Sequence, residues 1–251
     1  MLYGWPCFKA AVVMLVCFQF AACASTQSPT QSTTTQAATS HDPWEGLNRS
    51  IFAFNDVVDR WVLRPVASGY TIVTPDPVET GVTNLFENLL EVRNVLNDVL
   101  QWKWGQAGND FGRLVVNSTL GVAGIFDVAR HLKLPKSEGE DFGQTLAVWG
   151  VGQGPYLVLP FLGPSNVRDT VALPVDWAAE PITYIDDVGT RNSVRAVDFI
   201  RKRAALLDVE DLVSGDKYLF FREVYLQRRD YLIKDGEIED DFDGFGDDED
   251  F

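Results

Sequence analysis

Thiols and imidazoles are scarce in this chain of 251 residues, which holds three cysteines and two histidines. Cys7 and Cys17 lie within the first 22 residues, and Cys23 follows directly. If that leader is removed and Cys23 is modified, no thiol is left for a disulfide, a zinc cluster or a redox pair. His41 and His131 cannot make a His-based metal cluster, and His131, in "RHLKLP", reads as a solvated or locally bonded side chain. Ser118, Ser137, Ser165, Ser193 and Ser214 lie outside any G-x-S-x-G elbow, and a Walker lysine is missing. Adjacent acids such as Glu140/Asp141 and Asp186/Asp187 read as solvated surface or helix caps. No catalytic residue, metal or cofactor is therefore expected, and the chain does not read as an enzyme.

Positive charge is short as well. Lys and Arg number 21 against 36 Asp and Glu, a net charge of −15. Nucleic acid is excluded as a partner by that balance. The acids are unevenly spread: "DGEIEDDFDGFGDDEDF", residues 235–251, carries ten of them and no base. Self-repulsion makes this an expected disordered tail.

What the chain does have begins with a leader, "MLYGWPCFKAAVVMLVCFQFAA", residues 1–22. Lys9, the apolar run from Ala10 to Phe18 and small residues at its end form a secretory signal too short to span a bilayer. Two alanines abut Cys23, as in a bacterial lipobox, so Cys23 is the expected acylated anchor. Residues 23–41 follow as the lipidated cysteine and a tether rich in Ser and Thr, whose composition cannot repay its ordering entropy. Ala24, next to the cysteine, points to the outer rather than the inner membrane.

The body, 42–234, is 193 residues of apolar and polar periodicity broken by Pro and Gly. Leu47, Ile51, Phe54, Val58 and Trp61 share one helical side, opposite Arg49, Asn55, Asp56, Asp59 and Arg60. Phe52 falls inside the polar arc, and Pro65 is expected to close the element. Pro77 suits a first turn, ahead of a longer helix over 84–104 at most. Gly105 and Gly108 interrupt the pattern before the next apolar helix. A short helix is expected up to Pro174, and Val194, Val197, Ile200, Ala204 and Leu207 mark another amphipathic one. Only "TIVT" and "YLVLPFL" look like strand. The fold class is all-α. Trp102, Trp104, Trp149 and Trp177 stand at element ends, where a core position and the headgroup level of a bilayer are both open readings.

One stretch, "WGVGQGPYLVLPFLGPSNVRD" (149–169), resembles a phosphate loop at first sight. Pro155 directly after Gly154, with Pro160 and Gly163 beyond, denies the strand–loop–helix frame that a dinucleotide needs. Gly150, Gly152, Gly154, Pro155, Tyr156, Pro160 and Gly163 read instead as a stiff apolar hairpin. A lipid tail would gain about 0.8 kcal/mol per buried CH₂ against such a wall.

These residues carry a resemblance. "DPWEGLNRSIFAFND", "VLRPVASGY", "TPDPV", "GVTNLFENLLEV", "NSTLGVAGIFDVA", "EDFGQTLAVWGVGQGPYLVLPFLGPSNVRD" and "REVYLQRRDY" are similar to the MlaA/VacJ family of Gram-negative outer-membrane lipoproteins. The resemblance implies a ring-like arrangement of amphipathic helices embedded in one leaflet, with the 47–62 helix as a wall and the 149–163 hairpin shaping a central channel. It implies a lipid-anchored protein facing the periplasm. Its function would be passive phospholipid transfer from the outer membrane to a periplasmic lipid carrier of the MlaC type, maintaining lipid asymmetry. Trimeric outer-membrane porins would be its scaffolds. Arg191, Arg195, Arg201, Lys202 and Arg203 are candidate headgroup contacts, and each is equally readable as a solvated helix face. A structural lipoprotein bound to porins and a lipid-hydrolysing enzyme remain as alternatives. Gly152→Ala or Pro160→Ala is expected to alter lipid passage.

Overall fold

The computed structural model describes residues 42–207 and 215–236. The leader, Cys23, the tether and the tail beyond residue 236 lie outside the described residues, so the expectations placed on them concern sequence alone. Helix α1 (Glu45–Val58) passes through a π-helical turn, Asp59–Leu63, into α2 (Arg64–Val73). The long α3 (Asp76–Leu100) and α4 (Trp104–Thr119) follow. A 3₁₀ turn (Ala129–Leu132) and the short α5 (Phe142–Val148) lead to strands β1 (Tyr156–Leu159) and β2 (Gly163–Asn166). Helix α6 (Val167–Ala179), a 3₁₀ turn (Pro181–Tyr184), α7 (Val188–Ala204) and α8 (Lys217–Ile233) complete the described order.

The helical class holds, with one antiparallel hairpin in register Tyr156↔Asn166 and Leu159↔Gly163. Several local expectations do not. "TIVT" is the end of α2 rather than a strand. Ile72 and Val73 are exposed there; a helix meets its backbone hydrogen bonds internally, and an apolar setting rewards that over β-propensity. Pro65 does not stop the chain. It sits in the first turn of α2, where its missing N–H would be unbonded anyway, and the π turn before it realigns the backbone. Gly105 and Gly108 lie inside α4, and Pro174 inside α6. Packing outweighs their propensity cost of about 1–3 kcal/mol. Pro77 does occupy the first turn of α3, which starts at Asp76, well before residue 84. Asp141 and Asp187 are N-caps, accepting from Gln144 N and Thr190 N.

The polarity of the molecule is inverted. Among the described residues, buried polar and charged side chains outnumber buried hydrophobic ones, several of which are alanines. Meanwhile Trp61, Ile72, Val73, Trp102, Leu120, Val171 and Tyr184 are exposed. Each large apolar side chain would gain about 1.5–3 kcal/mol on leaving water, so this surface suits hydrocarbon. Trp44, Trp61, Trp102, Trp104, Trp149 and Trp177 are all exposed, which settles the tryptophans outside the core. No helix among the described residues is long and apolar enough to cross a membrane.

Between α3 and α4 the inversion is a continuous polar stripe. Glu91, Asn94 and Asp98 recur at helical spacing and face Asp110, Arg113 and Asn117, all buried. Arg113 Nε donates to Glu91 at 3.1 Å and its terminal nitrogens reach Asp127 and the Leu134 carbonyl. Burial, then the neighbouring Asp110 and Glu140, push the Asp98 carboxyl up to about 8. Its proton leaves the unfolded chain near 3.8. Between those pH values the folded state binds more proton, so stability falls as pH rises through the window. Thermal melts of the full chain should show a lower Tm at pH 8 than at pH 5. Asp98→Asn, which imitates the protonated acid, should flatten that slope; an unchanged slope would refute the assignment.

Candidate functional site

The hairpin is the best-supported element to build from. Helix α1 puts Asn48 and Asn55 two turns apart on one side, and each amide clamps one part of the hairpin through both of its ends. Asn48 is fully buried; its Nδ2 donates to the Tyr156 carbonyl at 3.1 Å and its Oδ1 accepts from Val158 N at 2.9 Å. Asn55 Nδ2 donates to the Leu159 carbonyl and its Oδ1 accepts from Phe161 N, both at 2.9 Å. Side-chain amides thus act as a third strand, supplying the edge pairing that a two-stranded hairpin lacks. Phe161, at the tip, holds φ at 64°, a conformation costly for a non-glycine residue, and Phe54 packs edge-on at 5.3 Å.

Helix α8 holds the other side. Tyr156 and Val158 are buried with Tyr218, and Phe52 and Tyr225 pack on them. Phe52, the residue that broke the polar arc of α1, meets the Tyr218 ring at 5.7 Å. Asp42 fixes the start of α1 by accepting from Asn48 Nδ2 at 2.7 Å and from the Tyr218 hydroxyl.

Where hairpin, α1, α7 and α8 approach, they enclose a cavity of about 260 Å³. Phe52, Leu206, Phe220, Phe221 and Pro164 give it apolar walls, while Asn55, Asp56, Asp59, Arg203 and Lys217 give it polar groups. Arg203 forks onto Asp59, Nε to Oδ1 at 2.5 Å and a terminal nitrogen to Oδ2 at 2.8 Å. An amphipathic cavity with a guanidinium at its polar edge can hold a molecule with a hydrocarbon part and an anionic part.

The candidate glycines separate. Gly150, Gly154 and Gly163 have positive φ; Gly152 does not, and a Cβ there would meet nothing within 4 Å. At Gly154 a Cβ would press on Val167 at 3.1 Å in a left-handed backbone. The conformational demand thus falls on Gly150, Gly154 and Gly163, Gly154 alone is also short of space, and Gly152→Ala should be silent. Pro155 supplies the carbonyl that accepts from Val167 N, closing the hairpin base; Pro160 opens its turn; Gly163 lines the cavity.

The candidate cations separate too. Of the five, Arg203 lines this cavity. Arg191 donates to the Ile185 carbonyl and Arg195 to Thr183 Oγ1. Arg201 is buried, pairs with Asp198 at 2.6 Å and lies over the Phe86 ring; Lys202 pairs with Asp198 from the exposed side. These contacts serve helix α7 and its packing. His131 is locally bonded, its Nδ1 lying 3.3 Å from the Asp127 carbonyl oxygen.

Below the hairpin, Arg229 of α8 meets two carboxylates. Its terminal nitrogens fork onto Asp141 at 2.5 and 2.6 Å, and its Nε reaches Asp169 at 2.7 Å. Gly143 has no side chain because a Cβ would collide with this cluster. Burial alone would raise Asp141, but Arg229 overcomes it and holds the carboxyl at about 2. The Asn clamps and Arg229 escaped the reading of motifs. Their signal is present nonetheless, as polar residues recurring at helical spacing beside apolar ones that end up outside.

Inverted polarity and a cavity closed by a clamped hairpin define a helical protein made for a lipid boundary. The comparisons give this class its family. The model of the "MlaA lipoprotein" family matches residues 40–232, and the chain belongs to that family. A Rickettsia felis protein, described as uncharacterized, is 38% identical over 198 residues, 77% of this chain and 78% of its own. The Escherichia coli "Intermembrane phospholipid transport system lipoprotein MlaA" is 36% identical over 205 residues, 78% of this chain and 80% of its own. A solved structure described under "Structural basis for maintenance of bacterial outer membrane lipid asymmetry" superposes with a TM-score of 0.69 at 36% identity. It covers 76% of this chain and 98% of the solved one.

Proposed function

We propose that this chain transfers phospholipid from the outer membrane to a soluble periplasmic carrier of the MlaC type, and so maintains outer-membrane lipid asymmetry. The observation that carries the reading is the amphipathic cavity against the clamped hairpin, with Arg203 at its polar edge. The names of the Escherichia coli relative and of the solved structure support it. Cys23 would anchor the chain to the outer membrane on its periplasmic side, with porin trimers as scaffolds. The exposed apolar side chains would lie among acyl chains.

The physical task is to move an anionic headgroup past hydrocarbon, which is steeply unfavourable for a desolvated charge. Here the phosphate would compete with Asp59 for the Arg203 fork, which matches it bidentately. One acyl chain would lie along Phe52, Phe220, Phe221 and Leu206. No covalent bond changes, so the process is driven by lipid gradients and by the carrier's affinity.

Reconstitution of the full acylated chain in asymmetric vesicles with its carrier should give lipid transfer without ATP and without release of fatty acid. Gly154→Ala should change the rate several-fold through strain of about 1 kcal/mol or more at the hairpin base, while Gly152→Ala should match the parent. Transfer at background level by correctly inserted parent protein would overturn the reading. Release of fatty acid would replace it with hydrolysis.

A further inference from the structure

A second amphipathic feature lies on elements away from the hairpin cavity. The 120–136 segment between α4 and α5 packs against α3 and leaves two adjoining clefts. One, of about 570 Å³, is lined by Thr83, Glu87, Arg113, Arg130, Lys133 and Lys136, among others. The other, of about 350 Å³, is largely apolar, with Pro77, Ile125, Phe126 and Val128 in its wall. Asn84 and Asp127 line both, so the clefts share a wall and lie side by side.

The charges of the polar cleft do not cancel. Asp127 is occupied by Arg113 at 3.2 Å and by Asn117 at 3.0 Å, and Glu87 by Lys136 at 2.6 Å. Arg130 and Lys133 are exposed, and among the described residues neither side chain forms an ion pair. Two surplus cations thus edge a cleft that lies beside an apolar one, in a chain whose net charge is −15.

The segment is also rigidly pinned. Asn84 Nδ2 holds the Ile125 carbonyl at 3.1 Å, Arg113 holds the Leu134 carbonyl at 2.8 Å, and Asn117 Oδ1 accepts from Ala129 N at 2.9 Å. Val122, Ala123 and Lys133 have φ values of 53°, 58° and 59°, strained positions that such fastening maintains. A backbone already fixed spares these cations the cost of ordering the loop when they meet an anion, leaving only that of their side chains.

We propose that this double cleft is a second phospholipid site, in which Arg130 and Lys133 take the phosphate and the cavity around Ile125 and Phe126 takes an acyl chain. The occupant is a membrane lipid rather than a free anion because the apolar cleft lies directly beside the cationic one. Phe126 and Leu120 are exposed beside it, as a surface at headgroup depth would be. The site does not depend on the transfer route. It would hold a lipid, or orient the protein on an anionic leaflet, even if transfer to a carrier failed.

The test is native mass spectrometry and titration of the full chain in mild detergent with short-chain phosphatidylglycerol, short-chain diacylglycerol and inorganic phosphate. Arg130→Gln/Lys133→Gln should carry one phosphatidylglycerol fewer than the parent, with affinity at this site reduced about tenfold. Phe126→Ser should weaken the same binding, and Lys202→Gln, on the exposed side of α7, should not. Diacylglycerol and phosphate should each bind more weakly than the lipid that joins them. A double variant with the parent's stoichiometry and affinity overturns the proposal. So does phosphate binding as tight as that of the lipid, which would mark a bare anion site. Loss of an acidic protein partner with lipid binding intact would also overturn it, in favour of a protein surface.

Discussion

Asn48→Ala should unfasten the hairpin and abolish lipid transfer. The amide is fully buried and serves three partners: Asp42 Oδ1, the Tyr156 carbonyl and Val158 N. Alanine would leave those groups buried without a substitute, at about 1–3 kcal/mol for each unsatisfied group. A loss of about 3–5 kcal/mol follows, since the three are not independent. Hydrogen exchange should report it first at Val158 N, whose bond to the amide is gone. Asn55→Ala separates fastening from folding. This side chain is only partly buried and holds the tip through Leu159 and Phe161, so the expected loss is about 1 kcal/mol. Its transfer rate should change while its melt stays close to the parent's. Equal melts and equal transfer for parent and both variants would remove the clamp from the mechanism.

Arg229→Met should cost as much, by a different route. The guanidinium joins the N-terminus of α5, through Asp141, to the first turn of α6, through Asp169. Asp169 is further held by the Tyr225 hydroxyl and by Asn166 Nδ2, both at 2.8 Å. Removing the cation strands the largely buried Asp141 carboxylate and leaves Asp169 to Arg168 alone, at 2.9 Å, a change of about 3–5 kcal/mol. Arg229→Lys should recover only part of it, because one ammonium cannot fork onto Asp141 and also reach Asp169. The pH dependence supplies an independent check. In the parent, Asp141 is held at about 2, below its ordinary 3.8, so its contribution is present above 3.8 and is lost as pH falls through about 2. Without Arg229 burial is left to dominate, the carboxyl rises, and on acidification from pH 7 to pH 5 the variant should gain more stability than the parent, beyond the gain that Asp98 gives to both. A variant that gains no more than the parent over that interval would contradict this account.

Both predictions rest on residues that the motif reading passed over, and the reason is physical. Sequence patterns are usually read for apolar stripes that face a core. Here Leu47, Phe54 and Trp61 of such a stripe face outward, Ile51 packs on the Tyr156–Val158–Tyr218 cluster, and Asn48, on the flank of the stripe, is fully buried. The pattern gives the period and the two faces, but the solvent decides which face is inside. Glu91, Asn94 and Asp98 are legible as a polar face on the same terms. That they meet Asp110, Arg113 and Asn117 follows from the packing of α3 on α4.

The glycine-rich segment shows the same division. Pro155, Pro160 and the apolar run between them excluded a phosphate loop, and the strand over Tyr156–Leu159 stands where that run predicts it. The partner strand, "GPSN", is weak in β-propensity and pairs because β1, itself held by the amides of α1, offers it an edge. Gly152 and Gly154 look alike in sequence; only backbone geometry and the approach of Val167 distinguish them.

The sequence by itself determined the helical class, the hairpin's place, a body without cysteine, and the family. Composition, periodicity and short motifs are local properties, and these conclusions need nothing more. Tertiary structure alone decided which faces point inward, which of five cations borders the cavity, and that Asn48, Asn55 and Arg229 hold it together. Those outcomes depend on contacts between residues as much as 144 positions apart. A chain that buries its polar groups and offers its apolar ones to the surroundings has its interior set by hydrogen-bond partners, and these are known only once the helices have met.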